Sequence, residues 1–276
     1  MKTGSVVNLI KDKATICVVN YKTPDMIRLC LRSIRKFTDY PYELIVVDNN
    51  SADASLEYLR QLKWIRLIER TPGAGESGGY AHGVGLDIGL QHCNSEFFVS
   101  MHSDTIVKKQ GWLGELIRYF ADEEKVACVG SGKIESTPAW RVLLKKMTDL
   151  RALQRLLFGD AESTKKYRYF NRTICCVYRT QVLQDEGLSF VMGRGTGLTT
   201  GQKLYFELIE RGYRTVELSA AAMGQYIVHL AHATQAANIK EFVLPKRTLR
   251  KYGKSLDTFM SSPLVQDVLL DSSLDK

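Results

Sequence analysis

The chain has 276 residues, of which 45% are hydrophobic and 25% charged, a balance typical of a soluble globular protein. This composition excludes a disordered, collagen-like or coiled-coil chain, and no apolar run approaches the roughly 20 residues of a membrane-spanning helix. The net charge of +8 favours an anionic partner such as a phosphorylated ligand, a nucleic acid or a membrane surface.

Short apolar runs alternate with amphipathic stretches through the first half of the chain. The predicted strands are Ala14–Val19, Leu44–Val47, Ile65–Ile68, Phe97–Met101 and Val126–Val129. Apolar residues at helical spacing lie between these strands and predict helices near residues 26–37, 56–62, 80–91 and 112–120. This alternation predicts right-handed βαβ units, and therefore an α/β fold with a largely parallel sheet covered by helices on both faces.

The alternation stops after about residue 133. Residues 140–158 predict a basic amphipathic helix, which is typical of a membrane-interface helix but also of an ordinary core-facing one. A strand, a helix and two further strands follow, at Ile174–Tyr178, Leu204–Arg211, Thr215–Leu218 and Tyr226–Leu230. The tail from residue 241 to 276 is polar, basic and weakly patterned, so one continuous domain with an irregular second half is expected.

Polar residues follow three of the predicted strands. They are Asn20 after the first, Asp48 and Asn50 after the second, and His102, Ser103 and Asp104 after the fourth. In open α/β sheets, ligands bind at the carboxyl ends of strands, near the point where the strand order reverses. An acid after the second strand can accept hydrogen bonds from a nucleoside, although Asp and Asn also favour turns and helix N-caps.

Residues 102–104 form a candidate metal site. A carboxylate at a strand end can hold Mg²⁺ or Mn²⁺ together with substrate phosphates, and an imidazole suits Mn²⁺ better than Mg²⁺. The alternative interpretation is a solvated turn. His229 and His232 are spaced as a possible metal-binding pair, but two histidines without a third ligand are weak evidence for zinc.

Seven glycines fall between residues 73 and 89, after the third strand. Residues 73–78 match GxGxxG, but a dinucleotide-binding fingerprint follows the first strand, and no Gly-Lys-Ser/Thr is present to make a Walker loop. The glycine density favours close approach of the backbone to a ligand over a flexible surface loop.

Four segments in this order resemble family-two glycosyltransferases of the bacterial rhamnosyltransferase-like kind. They are ATICVVNYKTPDMIRLCLRSI, ELIVVDNNSAD, the glycine loop and FFVSMHSDTIVKKQGWLGELI, and the resemblance extends from about residue 14 to 234. It implies one GT-A domain, with a Rossmann-like, mostly parallel sheet and an irregular acceptor side. The nucleotide-sugar half would span about 14–132 and the acceptor half about 133–240.

The resemblance also implies a function, namely inverting, metal-dependent transfer of a sugar from a nucleoside-diphosphate sugar to a glycan or lipid-linked acceptor. Asp48 would contact the nucleotide base, and Asp104, as the last acid of the DxD motif, would bind Mg²⁺ or Mn²⁺ with His229. The implied donor-binding residues are Asn20, Asp48, Asn50, Gly78, Gly79, Tyr80 and Ser103.

Two departures from the family pattern concern the chemistry. His102 replaces the first acid of the DxD motif, and Thr200-Gly201-Gln202-Lys203 stands where the family has the acidic segment that supplies the catalytic base. We therefore predict Glu186 or Asp185 as the base, with Glu207 and His232 as alternatives. A degenerate domain that binds nucleotide sugar or glycan without catalysis remains the alternative function.

Other functions fit the sequence less well. A methyltransferase needs a glycine-rich turn after the first strand, which is missing, and no nucleic-acid-binding motif accompanies the positive charge. Six cysteines without regular spacing predict reduced core thiols in a cytoplasmic protein. We expect a cytoplasmic location with peripheral contact at the inner membrane face through residues 140–158.

Overall fold

The computed structural model describes residues 8–76, 78–121, 123–132, 170–230 and 259–276. The predicted amphipathic helix at 140–158 and His232 lie outside the described residues. Within the described ranges, no helix is long and apolar enough to cross a membrane.

The described elements follow the predicted alternation. The strands are β1 (Ile10–Asn20), β2 (Tyr42–Asp48), β3 (Arg66–Glu69), β4 (Ser95–His102), β5 (Thr105–Val107), β6 (Val126–Ser131), β7 (Cys175–Arg179), β8 (Arg214–Leu218) and β9 (Ile227–His229). The α-helices are α1 (Pro24–Phe37), α2 (Ala54–Gln61), α3 (Gly78–Gln91), α4 (Trp112–Ile117), α5 (Thr180–Asp185), α6 (Gln202–Glu210), α7 (Ala220–Tyr226) and α8 (Pro263–Leu270).

The main sheet has seven strands in the order β3-β2-β1-β4-β7-β6-β8. All the strands point the same way except β7, which pairs antiparallel with both β4 and β6. The strand order reverses between β1 and β4, because β2 and β3 extend the sheet on one side and β4 extends it on the other. The expected mostly parallel α/β architecture is confirmed.

Helices cover both faces of the sheet because successive side chains of β1 point to opposite faces. Ile16 and Val18 belong to the core cluster that contains α1, whereas Cys17 and Val19 belong to the cluster that contains α3. All six cysteines of the chain are buried and unbridged, which confirms the predicted core thiols.

Glycines let α3 pack closely on β1. A Cβ atom at Gly89 would lie 2.3 Å from the Cys17 sulfur, and one at Gly85 would lie 2.9 Å from the Val19 methyl carbons. Part of the glycine density at 73–89 therefore serves helix-to-sheet packing. The first helical glycines, Gly78 and Gly79, lie at the amino end of α3.

The carboxyl end of the described chain forms a helix that the sequence pattern did not predict. Val265 and Val268 of α8 are fully buried in the core cluster that contains α1. Beyond α8, Asp275 accepts hydrogen bonds from Arg32 on α1 and Tyr58 on α2. The end of the tail is thus part of the packed domain.

Candidate functional site

Three strand ends meet at the carboxyl edge of the sheet, beside the reversal of strand order. Asn20 pairs in register with Asp48, and Val19 pairs with His102. The structure therefore brings the predicted site residues of β1, β2 and β4 to one level. This is the position at which open α/β sheets bind their ligands.

Asp48 is fully buried in a network of hydrogen bonds. Its Oδ1 accepts from Asn20 Nδ2 at 2.7 Å and from Ser51 Oγ at 2.5 Å, while its Oδ2 accepts from the Ser51 backbone N–H at 2.9 Å. Thr23 Oγ1 donates to Asn20 Oδ1 at 3.0 Å. These bonds fix the turn after β2, on which Asn50 is exposed with a left-handed φ of 58°.

A second group of residues at this edge was missed by the sequence analysis. Arg70 donates to Asn49 Oδ1 at 3.1 Å and to the Ala81 carbonyl at 3.2 Å, and it forms an ion pair with Glu76. Asn49 Nδ2 also donates to the Ala81 carbonyl, at 3.3 Å. The ends of β2 and β3 are thereby tied to the first turn of α3. A signal was available, since Asn49 follows Asp48 directly and Arg70 follows β3.

His102, Asp104 and His229 form one cluster whose candidate ligand atoms lie within 4.8 Å of one another. His229 Nε2 is 3.3 Å from Asp104 Oδ1, and His102 Nδ1 is 3.7 Å from the same oxygen. Asp104 is 5% exposed, and its neighbour Ser103 is also buried. A carboxylate oxygen with two imidazole nitrogens is a donor set that fits a divalent transition-metal ion.

The small sheet formed by β5 and β9 positions His229. Thr105 pairs with His229 across the two strands, and the Leu230 N–H donates to the Asp104 carbonyl at 2.9 Å. Two residues 125 positions apart in the chain are thus held side by side by backbone hydrogen bonds. Burial opposes ionisation of Asp104, but the hydrogen bond with His229 and the electrostatic effects of His229 and His102 together outweigh burial and hold the pKa of the carboxyl below its usual value.

His82 on α3 is a further member of this region that the sequence analysis missed. Its ring packs edge-to-face on His102 with centroids 4.6 Å apart. Burial lowers the pKa of His82 to about 4, and burial together with the neighbouring His82 holds the pKa of His102 well below its usual value. Both rings are therefore neutral at pH 7. The sequence could have indicated His82, because this residue lies one turn into a predicted helix that begins at the carboxyl edge of the sheet.

Two buried imidazole nitrogens have no hydrogen-bond partner among the described residues. They are Nε2 of His82 and Nδ1 of His229. Buried polar atoms are almost always paired, so orphaned atoms at one place indicate a missing partner such as water, an ion or a ligand. Both lie on rings that contact His102.

The chain from 187 to 201 runs along α3 from its carboxyl end to its amino end. Asp87 accepts from Ser189 Oγ at 2.6 Å, a Cβ at Gly83 would lie 2.7 Å from a Val191 methyl carbon, and Thr200 Oγ1 donates to the Gly79 carbonyl. Near the amino end of α3, the Arg194 guanidinium lies 4.1 Å from the Tyr80 ring centroid and donates to its hydroxyl at 2.9 Å. Gly78, Gly79 and Tyr80 begin α3, and the last two contact this loop, while their predicted role in donor binding stays a prediction.

Asp185 and Glu186 are not brought to this site. They follow β7, whose last residue Arg179 pairs with Phe97 near the start of β4. At about 3.3 Å per residue, Phe97 lies roughly 16 Å from His102 along the strand. Glu186 accepts from Arg211 at 2.8 Å and from Tyr213 at 2.9 Å, and the Arg211 hydrogen bond lowers the pKa of its carboxyl.

Residues 200–203, where the resemblance noted from the sequence implies an acidic segment, lie close to His102. A Cβ at Gly201 would be 2.7 Å from Thr173 Cγ2, and Thr173 Oγ1 is 3.2 Å from His102 Nε2. Gly201 also has a φ of +72°, which L side chains rarely adopt. The backbone therefore leaves no room for a side chain at this position, next to His102.

The fold is that of GT-A glycosyltransferases. A mannosyltransferase from Pyrobaculum calidifontis, whose structure was solved with GDP-Man and Mn²⁺, has a similar fold. The match covers 93% of this chain and 72% of that one, at 16% identity and a TM-score of 0.52. It also matches S. aureus TarS at 19% identity and a TM-score of 0.50, over 90% of this chain and 44% of that one. A search of curated proteins found no match.

The family model "Glycosyl transferase family 2" matches residues 15–186, more than half of the chain. The protein therefore belongs to glycosyl transferase family 2. The resemblance noted from the sequence is confirmed at the level of the family and the fold.

Proposed function

We propose that this protein transfers a sugar from a nucleoside-diphosphate sugar to an acceptor hydroxyl, with the aid of a divalent metal ion. The observation that carries the proposal is the cluster of Asp104, His229 and His102 beside the reversal of strand order. Support also comes from the Pyrobaculum mannosyltransferase, whose structure contains a nucleotide sugar and Mn²⁺.

In this proposal, the residues at the carboxyl edge of the sheet have different roles. Asp104 and His229 would hold a divalent ion, which when bound would stabilise the negative charge that develops on the diphosphate. The first N–H groups of α3, at Gly78, Gly79 and Tyr80, have no intrahelical partner and can donate to phosphate oxygens. Asp48 and Asn20 shape the turn that Asn50 and Ser51 form beside the nucleoside.

The acceptor hydroxyl attacks the anomeric carbon as the diphosphate leaves, and its proton passes to a base or to solvent. We propose inversion of the anomeric configuration because a single displacement needs no enzyme nucleophile. Asp104 binds the ion in this proposal and therefore does not act as a nucleophile. The basic amphipathic sequence at 140–158 is typical of a membrane-interface helix and therefore supports a glycan or lipid-linked acceptor. It also supports peripheral association of the protein with the cytoplasmic face of the inner membrane. Six free, buried cysteines agree with a reducing compartment.

The degenerate domain remains a second candidate function, and a specific observation favours it. The position of the family's acidic motif is occupied by Thr200 and Gly201, and the predicted bases Asp185 and Glu186 lie toward the opposite edge of the sheet. A domain of this kind would bind nucleotide sugar through the same cluster and release no product.

Donor turnover separates the two functions. The purified protein is incubated with a panel of nucleoside-diphosphate sugars and Mn²⁺, and release of nucleoside diphosphate is followed with and without candidate acceptors. We expect release above background that Asp104→Asn lowers at least 100-fold, while Asp267→Asn on the exposed side of α8 leaves it unchanged. Donor binding in Mn²⁺ without any release would support the degenerate domain, and no donor binding at all would contradict both functions.

A further inference from the structure

His102 gives the metal cluster an unusual donor set for this fold, because it contributes nitrogen at a position where the family pattern has an acid. We propose that His102 is a direct ligand and that the site selects a nitrogen-accepting first-row transition-metal ion, such as Mn²⁺ or Co²⁺, against Mg²⁺. This inference rests on the proposed function, since it concerns the ion that the same cluster would hold.

The hydrogen bonds of His102 favour a ligand role. Its Nε2 lies 3.2 Å from Thr173 Oγ1, and its Nδ1 faces Asp104 Oδ1 at 3.7 Å. When Nε2 carries the proton and donates to the threonine hydroxyl, Nδ1 presents its lone pair to the cluster. Histidines that bind metals commonly have their second ring nitrogen held in this way, which fixes the tautomer and the ring orientation.

His82 acts as a positioning residue for His102. The two rings meet edge-to-face, and the His229 ring also meets His102 edge-to-face, with centroids 5.6 Å apart. His102 therefore contacts two rings and a hydroxyl, which together restrict the orientations of its ring. A ligand with a fixed orientation loses less entropy when it binds an ion.

The donor set decides the preference among ions. Mg²⁺ demands oxygen ligands in near-ideal octahedral geometry and gives up its waters reluctantly, so two imidazoles and one carboxylate suit it poorly. Divalent transition-metal ions accept imidazole nitrogen, and their affinity rises from Mn²⁺ to Co²⁺ along the Irving–Williams order. Restoring an acid at position 102 replaces a nitrogen ligand by oxygen and should shift the preference back toward Mg²⁺.

The test is a titration of the whole protein with MgCl₂, MnCl₂ and CoCl₂, read by calorimetry and, for Co²⁺, by visible absorption. We expect Co²⁺ to bind at least 100-fold more tightly than Mg²⁺. His102→Asp should narrow that ratio at least 10-fold and move the Co²⁺ absorption bands, because a nitrogen ligand is lost. The matched control is His92→Asp at the far end of α3, which should change neither quantity.

The outcomes separate this inference from the proposed function. If Asp104→Asn abolishes Co²⁺ binding but His102→Asp changes neither the ratio nor the spectrum, His102 is not a ligand and the inference is overturned while the proposed site stands. If the wild-type protein binds none of the three ions, with or without UDP and GDP, the proposed metal site itself fails. Should His102→Asp not fold, the Co²⁺ spectrum of His102→Asn decides the ligand question in its place.

Discussion

Single residues at the carboxyl edge are held by partners that lie far away in the sequence. Asn20, Asp48, His102 and Asp104 could be singled out, because each is a polar residue at or just after the end of a predicted strand, where open α/β sheets bind their ligands. His82 and Arg70 were harder to single out, although each lies next to an element that begins or ends at this edge, since their contacts depend on which loops fold back onto the strand ends. The choice of Asp185 and Glu186 shows the same limit, because nothing in the local sequence reveals that β7 runs antiparallel.

Replacing the buried Asp48 should destabilise the fold. Asp48→Ala leaves the Asn20 amide and the Ser51 N–H without their acceptor, and an unsatisfied buried group costs about 1–3 kcal/mol. We expect a loss of that size in the free energy of unfolding, measured by urea denaturation. Asp25→Ala, at an exposed position in the first turn of α1, should change stability by no more than about 0.5 kcal/mol. Equal effects of the two variants would contradict the role given to Asp48.

His82 should make stability depend on pH. Its pKa is about 4 in the folded protein and near 6.5 when unfolded, so the unfolded chain binds the proton first as pH falls. In the presence of a chelator, we expect protonation of His82 in the unfolded chain to lower stability progressively between pH 6.5 and 4. His82→Gln cannot titrate and should show a shallower decrease. An identical pH profile for His82→Gln and wild type would show that the ring is not held neutral by burial.

At the scale of elements, the strands were predictable and the helices less so. Strands buried on both faces are read as continuous apolar runs, which is why β1, β2, β4 and β6 stand out in the sequence. The helix α3 is harder to recognise because its glycines resemble a loop, although Gly85 and Gly89 are there to let it approach β1. The short helix α8 has apolar residues at helical spacing, including Val265 and Val268, but it spans only eight residues, too few for the period to stand out.

Glycine substitutions test the close packing of α3. Gly89→Ala places a methyl group 2.3 Å from the Cys17 sulfur, and overpacking of this kind typically costs about 1–3 kcal/mol. Gly114→Ala in α4 meets no atom within 4 Å and should stabilise the protein by up to about 1 kcal/mol. Thermal unfolding of the pair should therefore show shifts of opposite sign, and a stabilised Gly89→Ala would contradict the described contact.

At the scale of the whole molecule, residues 263–276 pack against α1. Arg32 is 6% exposed and donates to Asp275 at 2.9 and 2.5 Å, while Lys36 on the same helix pairs with the exposed Asp267 at 2.8 Å. The sequence showed only a polar tail, because these partners are more than 200 residues apart. The parallel sheet, by contrast, followed from the alternation of strands and helices alone.

The two ion pairs that join α1 to the carboxyl-terminal segment should contribute differently to the free energy of unfolding. Asp275→Ala leaves the buried Arg32 guanidinium unpaired and should cost about 3–5 kcal/mol if its burial is retained, less if water enters. Asp267→Ala removes an exposed pair and should cost about 0–1 kcal/mol. Urea denaturation of both variants measures the difference. Equal stabilities would mean that the tail does not hold α1.

The site at the strand reversal is the central claim, and anomalous diffraction from a crystal grown with Mn²⁺ and a nucleoside diphosphate tests it most directly. We expect an anomalous peak within bonding distance of the Asp104 carboxylate and His229 Nε2, with the diphosphate between this ion and the first turn of α3. The nucleoside should lie beside the turn that Asp48 supports. An ion bound elsewhere, or a nucleotide bound away from the ends of β1 and β4, would contradict the account.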